Sequence, residues 1–272
     1  MTARCRVLGR AGEWVSACDR GLLYGDGLFE TLRVRHGRST LWSRHMQRLT
    51  GGCERLHMPL PDIALLAREV HDLTRDMHEA VVRITWTRGC GVRGYRPPDP
   101  ATGTGIITAG TAPSLHTDWS RSGIRVRFCR TRLALQPALA GLKHLNRLEQ
   151  VLARGEWDDP DVAEGLMCDT RGRVVCATAA NLFVRLAGVW HTPALDDCGV
   201  AGVARAVVLD RWPGVRVAPI EMETLMQAEE MFLSSSVRGI LPIRDLAGRR
   251  LPVGKDTQAM REHLCACLEP EA

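Results

Sequence analysis

The chain has 272 residues, 45% of them apolar, and a formal net charge of +5, which allows a sizeable core in one large or two moderate domains. No apolar run is long enough to span a bilayer and Met1 to Arg6 contains no apolar segment of signal-peptide length, so a soluble, cytoplasmic protein with no membrane partner is expected. Arginines are scattered through every segment, with Arg249-Arg250 the one adjacent pair; this argues against a nucleic-acid footprint and suits a small anionic substrate held by guanidinium forks.

In chain order, Arg6–Leu8 reads as a short strand and Gly12–Gly27 as a loop punctuated by glycines. Leu28–Val34 alternates as a strand, and His36-Gly37-Arg38 turns it into a second strand at Thr40–Trp42. Ser43 is placed to cap a helix carrying His45, Arg48, Leu49 and Leu56. Pro61-Asp62 opens another, with Ile63, Leu66, Val70 and Leu73 on one stripe. Ala80–Thr87 is a buried strand, Arg88–Tyr95 a glycine-rich loop and Gly105–Ala109 a further strand. The polar stretch from Thr111 to Ser122, with Pro113, reads as a linker between domains at 1–115 and 116–272.

The second half opens on the strand Ile124–Phe128 and continues into a helix ending near Trp157. Leu166–Cys168 and Val174–Cys176 form one expected hairpin, Asn181–Arg185 and Val189–Thr192 another. A helix starts at Gly202, a strand from Glu229 to Leu233 runs into Ser234-Ser235-Ser236, and Asp256–Leu268 closes the chain as a helix. Hairpins and helices in both halves argue for a two-domain α+β protein.

The ten cysteines are irregularly spaced without a C-x-x-C pair, as expected of free thiols, and the nine histidines are dispersed, so no metal site is expected. Lys143 and Lys255 are the two lysines; the other 34 of the 36 basic residues are arginine. Lysine can lose its proton when desolvated and attack a carbonyl, which arginine cannot do. Lys143 lies between an apolar run and a helical pattern, a setting suited to a Schiff-base lysine, although a surface lysine at a helix start is the blander alternative. Two stretches could hold a phosphate: the glycine turn Gly199–Arg205 entering a helix, and the hydroxyl-rich Ser234–Ser236 after a strand. Each has an ordinary reading as well, a plain turn and a cap. Arg93 and Tyr95, in their loop, are either a carboxylate clamp or a solvated surface.

Gly25-Asp26-Gly27-Leu28-Phe29-Glu30, His45-Met46-Gln47-Arg48-Leu49, Lys143–Gln150, Ala180-Asn181-Leu182-Phe183 and Gly202-Val203, in this order, resemble the class IV aminotransferase family of pyridoxal-phosphate enzymes. Arg88-Gly89-x-Gly91-x-Arg93-Gly94-Tyr95, taken with Lys143–Gln150, is most similar to its aminodeoxychorismate lyase branch; branched-chain and D-amino-acid aminotransferases match less closely. The resemblance implies a homodimer of two-domain α+β subunits of the D-amino-acid-aminotransferase type, with mixed sheets, flanking helices and pyridoxal 5'-phosphate in the interdomain cleft. It implies that Lys143 carries the cofactor, that Arg48, the N–H groups of Val203 and Ala204 and the Ser236 hydroxyl bind its phosphate, and that Asn181 also lies at the cofactor. It further implies that Arg93 and Tyr95 face the carboxylates of aminodeoxychorismate, with Phe29 and Asn146 lining the pocket. Lys143 would then remove the proton at the amine-bearing carbon, releasing pyruvate and 4-aminobenzoate. One position departs from the pattern: where the family usually has the glutamate that pairs the cofactor's ring nitrogen, this chain has Cys176. A neutral thiol is a far weaker partner. Two alternatives therefore accompany the lyase reading, an aminotransferase of D- or branched-chain amino acids and a cofactor-binding protein with weakened catalysis.

Overall fold

Period-two burial builds the first half. In the strand Glu79–Thr87, Ala80, Val82 and Ile84 are buried while Val81, Arg83 and Thr85 between them are half-buried. The computed structural model describes residues 4–9, 13–112 and 119–268. They divide into two units; the first holds the described residues to 112 together with Lys143–Asn146 and residues 267–268, and the second holds 119–142 and 147–266. The expected boundary at 115/116, with Pro113, lies outside the described residues. Lys143 was expected with the second domain; its backbone pairing, described below, groups Lys143–Asn146 with the first unit.

Unit one contains β1 (Arg4–Val7), α1 (Arg20–Tyr24), β2 (Gly27–Arg35), β3 (Arg38–Ser39), α2 (Trp42–Arg55), α3 (Ile63–Thr74), β4 (Glu79–Thr87) and β5 (Thr104–Thr111). Its described strands form an antiparallel sheet in the order β1-β5-β4-β2-β3. The amphipathic helices α2 and α3 pack on it through Met46, Leu49, Leu66 and Val70. β2 alternates from Thr31 onward but is buried on both faces over Gly27–Glu30. Three local expectations are corrected. The strand expected at Thr40–Trp42 ends by Ser39, because Thr40 N and Oγ1 both turn back to Arg33 O, at 3.0 and 3.2 Å. The next helix is entered through Leu41 in the left-handed region (φ 53°) with no side-chain cap, so Ser43 is inside the helix and does not cap it. The loop expected over 12–27 contains α1, whose five residues are too few to show a period; Asp19 Oδ1 caps it by accepting from Gly21 N at 2.8 Å.

Unit two contains α4 (Trp119–Ser122), β6 (Ile124–Phe128), α5 (Leu148–Arg154), β7 (Val162–Cys168), β8 (Arg173–Ala177), β9 (Asn181–Leu186), β10 (Val189–Pro193), α6 (Val203–Arg211), β11 (Arg216–Ala218), β12 (Ile220–Glu221), α7 (Met222–Leu225), β13 (Glu230–Ser235), β14 (Gly239–Leu246), β15 (Arg249–Arg250) and α8 (Lys255–Cys267). The strand order is β11-β10-β9-β13-β14-β6-β7-β8-β12, with β15 on β14. β14–β6, β6–β7 and β10–β11 are parallel and the other pairings antiparallel, giving a mixed sheet. The pairing Cys176↔Asn181 brings β8 back to β9 and closes six of the strands into a ring. Ile124, Leu166, Leu182, Met231, Leu233 and Ile243 are among the core residues of this sheet. β14 escapes a sequence reading because Pro242 interrupts its apolar run, yet it is a central strand between β13 and β6. All ten cysteines are free, as expected.

Leu166 is 0% exposed, so Leu166→Ala should destabilise the protein by about 2–5 kcal/mol, read as a lowered denaturation midpoint at constant m-value. A loss under about 1 kcal/mol would contradict the placement of β7 in the core.

Candidate active site

The segment 143–145 lies along the start of β2 as a short antiparallel addition. Phe29 N donates to Lys143 O at 2.9 Å, Leu145 N donates to Gly27 O at 3.0 Å, and Leu28 bridges His144. This approach requires the glycines of Gly25-Asp26-Gly27. A Cβ on Gly25, which has φ +66°, would meet Asn146 Oδ1 at 2.2 Å, and one on Gly27 would meet Trp86 O at 2.7 Å and Leu145 Cδ1 at 2.8 Å. The pairing fixes Lys143, half-buried, with Nζ 4.2 Å from the centroid of the buried Phe29 ring. Arg83 reaches the same ring, its Cζ 3.7 Å from the centroid, because the register sets Thr31 opposite Arg83 and Phe29 opposite Thr85 on one face of β2–β4. Arg83 donates to Thr85 Oγ1 at 3.2 Å, and burial lowers the pKa of its guanidinium.

Alternation sends Glu30 to the opposite face, where it is 1% exposed. Arg48 donates to it through Nε at 2.8 Å and through Nη2, and His45 Nδ1 donates to its Oε2 at 2.6 Å. Burial pushes the Glu30 pKa up, but the bonds from His45 and Arg48 outweigh this and leave it below the ordinary value. Burial lowers the His45 pKa, opposed by Glu30 and reinforced by the charges of Arg48 and Lys143. His45 is therefore neutral at pH 7, and its buried Nε2 is left without a protein partner.

In unit two, the loop before α6 is zipped to Gly141: Gly141 N donates to Gly199 O and Ala201 N to Gly141 O, both at 3.0 Å. Gly202 is the extended N-cap of α6 and no side chain caps the helix, so the N–H groups of its first turn face outward from a positive dipole end. A Cβ on Gly202 would lie 2.0 Å from Asn181 Oδ1, while Asn181 Nδ2 donates to Val200 O at 2.9 Å. Asn181 is thus the clamp of this loop. Its register partner on β13 is Ser234, whose buried Oγ has no partner. The two phosphate-suited stretches, far apart in sequence, are in this way joined through Asn181. Ser236 follows in the turn after β13, beside Ser235, whose Oγ accepts from Arg238 N at 3.1 Å. Val203 and Ala204 are buried at the start of α6.

Cys176 is buried on β8, opposite Met167 and Asn181. Burial pushes its thiol up to about 12, against the lowering effect of Arg147, so it is a neutral group at physiological pH. Tyr95 and Arg93 are exposed, whereas the neighbouring Arg88 is buried and donates to Asp26 Oδ2 at 2.8 Å, His57 O at 2.6 Å and Leu56 O at 2.9 Å.

The family model for class IV amino-transferases matches residues 27–246. This chain belongs to the class IV aminotransferases. It is 33% identical over 254 residues to the aminodeoxychorismate lyase of Vibrio harveyi, covering 90% of this chain and 94% of that protein. It is 30% identical over 263 residues to a putative branched-chain-amino-acid aminotransferase of Methanocaldococcus jannaschii, covering 91% and 89%. The crystal structure of 4-amino-4-deoxychorismate lyase from Pseudomonas aeruginosa is similar at a TM-score of 0.91 and 44% identity, covering 97% of this chain and 98% of that one.

Among the residues expected from sequence, this class IV chain groups Lys143, Phe29, Asn146 and Arg48 in unit one, with Arg93 and Tyr95 on its exposed loop, and Cys176, Asn181, Val203, Ala204 and Ser236 in unit two. Four side chains escaped the sequence reading. Arg83 could have been found from the alternation of β4, which sets it on the face of Phe29. Glu30 and His45 stood inside quoted motifs, but only the fold shows that they bind Arg48. Glu164, 3% exposed, accepts from Thr178 Oγ1 at 2.5 Å and from Arg238 Nη1 at 3.0 Å, tying the loop before Asn181 to the turn after Ser236; no sequence signal marks it.

His45 has a folded pKa below its ordinary 6.5, so its contribution to stability is complete above that value and is lost as pH falls through the folded one. The melting temperature should therefore fall between about pH 7 and 5, with a shallower slope in His45→Gln. Equal slopes in the two proteins would contradict a neutral buried His45.

Proposed function

We propose that this chain is a pyridoxal-phosphate-dependent lyase that converts aminodeoxychorismate to 4-aminobenzoate and pyruvate, a folate-precursor step, and that it acts as a cytoplasmic homodimer. The observation that carries the reading is the half-buried Lys143 held over Phe29 beside Arg83, in a chain of class IV. The residues suit the cofactor. An uncapped helix start at Gly202, where a Cβ would collide with Asn181, matches a phosphate, and the unpartnered Ser234 hydroxyl lies next to it in register. Lys143 would carry the aldehyde; Val203 and Ala204 N–H, Ser236 and Arg48 would hold the phosphate; Asn181 and Cys176 would lie at the ring. When bound, pyridoxal phosphate supplies an electron sink that acidifies the carbon bearing the substrate amine.

Lys143 is the general base: it takes the proton from that carbon. The bond from the substrate ring to the ether oxygen breaks, enolpyruvate departs and is protonated to pyruvate, and the ring becomes aromatic. Aromatisation supplies driving force, which lets a lyase work with the neutral Cys176 thiol where transamination would suffer. Arg93, Tyr95 and Arg83 would grip the two carboxylates, Arg83 with the advantage of partial desolvation, while Phe29 and Asn146 line the wall. Dimerisation is supported by Leu148, Val151 and Leu152, spaced three and four apart on α5 and all exposed. No described helix is long and apolar enough to cross a membrane.

Lys143→Ala and Lys143→Arg should each lower 4-aminobenzoate formation by about 10²–10⁴-fold or more and remove the cofactor absorbance of the folded protein. Full activity in either would refute the assignment. Cys176→Glu should raise transamination of D-alanine or a branched-chain amino acid with 2-oxoglutarate relative to lyase turnover. Wild-type protein that transaminates these efficiently but makes no 4-aminobenzoate would favour the aminotransferase reading.

A further inference from the structure

Arg20 is a buried cation committed to backbone oxygens. Its side chain is 5% exposed. Nε donates to Asp26 Oδ2 at 2.8 Å, Nη1 to Gly94 O at 3.0 Å and more weakly to Arg96 O at 3.4 Å, and Nη2 to Tyr95 O at 2.9 Å. Asp26 is fixed from its other side by Arg88, whose Nε donates to the same Oδ2 at 2.8 Å. The Tyr24 ring lies 4.9 Å from Arg20 Cζ and 5.4 Å from the Tyr95 ring. Around this centre the main chain is pinned twice more, by Arg20 N to Gly89 O at 2.9 Å and by Arg88 N to Asp26 O at 3.1 Å. The loop turns its carbonyls in toward Arg20 and leaves the Arg93 and Tyr95 side chains outside, Tyr95 at 84% exposure.

We propose that Arg20 is the positioning residue of the substrate loop: through the carbonyls of Gly94, Tyr95 and Arg96, and through Asp26, it sets where Arg93 and Tyr95 present their side chains to a dicarboxylate substrate. The inference rests on the reading above that these two residues face the substrate. The loop between β4 and β5 has no regular structure beyond an isolated bridge at Cys90, so its backbone has few other anchors. A guanidinium has five donors in a rigid planar fork and can serve one carboxylate and several carbonyls together; an ammonium presents a point charge and cannot span them. Positioning acts on affinity and orientation, and misplacing a binding group by about 1 Å can cost up to about 10²-fold in rate.

The test uses the full chain loaded with pyridoxal phosphate, as wild type, Arg20→Gln and Arg20→Lys; both variants keep the Arg88–Asp26 pair. Amide hydrogen exchange reads the loop without substrate. Exchange at residues 90–97 should be about tenfold faster or more in Arg20→Gln, and intermediate in Arg20→Lys, with β2 and β4 unchanged. Wild-type exchange rates at 90–97 in both variants would overturn the proposal. The second arm is a double-mutant cycle on the KM for aminodeoxychorismate: Arg20→Gln should raise it about tenfold in wild type but less than about twofold in an Arg93→Ala background. Full additivity would overturn the proposal, since Arg20 would then act by a route other than Arg93. If Arg20→Gln does not fold, Arg20→Lys carries both arms. A wild-type protein without 4-aminobenzoate formation would sink the lyase reading, and the exchange arm would still decide whether Arg20 holds the loop.

Discussion

The backbone pairing between Lys143–Leu145 and Gly27–Phe29 is the constraint on which the lysine's environment depends. Two hydrogen bonds, from Phe29 N to Lys143 O and from Leu145 N to Gly27 O, attach a segment from the middle of the chain to the first strand of the long antiparallel β2–β4 pair. They are possible because Gly25 and Gly27 leave no Cβ in the path of Asn146 and Leu145. The lysine is therefore placed by main-chain geometry, and its long side chain only has to lie down over Phe29. Lys143 over Phe29 on one face, and Arg48 and His45 against Glu30 on the other, accompany the burial of the first four residues of β2, while the rest of the strand keeps a polar side.

Charge is arranged around this frame by pairing arginines with few, shared acids. Glu30 serves Arg48 and His45, Asp26 serves Arg20 and Arg88, and Glu164 serves Arg238 and Thr178. Each acid is largely buried and each is bonded to more than one donor, which satisfies its oxygens in a rigid geometry. Arg83 differs: it donates to a threonine hydroxyl and its charge sits against an aromatic face. A guanidinium in that condition is a better receptor for an incoming carboxylate than one already held by a protein acid.

Much of this was legible in the sequence because the informative residues are ones whose chemistry is hard to replace. Two lysines among 36 basic residues singled out Lys143, and Gly202 before an apolar helix marked the uncapped N-terminus. What could not be read depended on contacts between segments distant in sequence. Leu41 enters α2 because Thr40 turns back on Arg33, although Ser43 is the better cap by composition. Pro242 would exclude a central strand by rule, yet neighbours on both sides retain β14. Glu164 looks like any strand carboxylate until the closed ring of strands brings Thr178 and Arg238 to it. The Cys176 position was visible, but its neutrality follows from burial that only the fold supplies.

Because the chain has just two lysines, reductive trapping with borohydride followed by peptide mass mapping gives a direct answer. The protein loaded with pyridoxal phosphate should carry one reduced cofactor, on the peptide containing Lys143, with loss of the visible absorbance. Label on Lys255, or no covalent label on a folded protein, would contradict the central role of the lysine over Phe29.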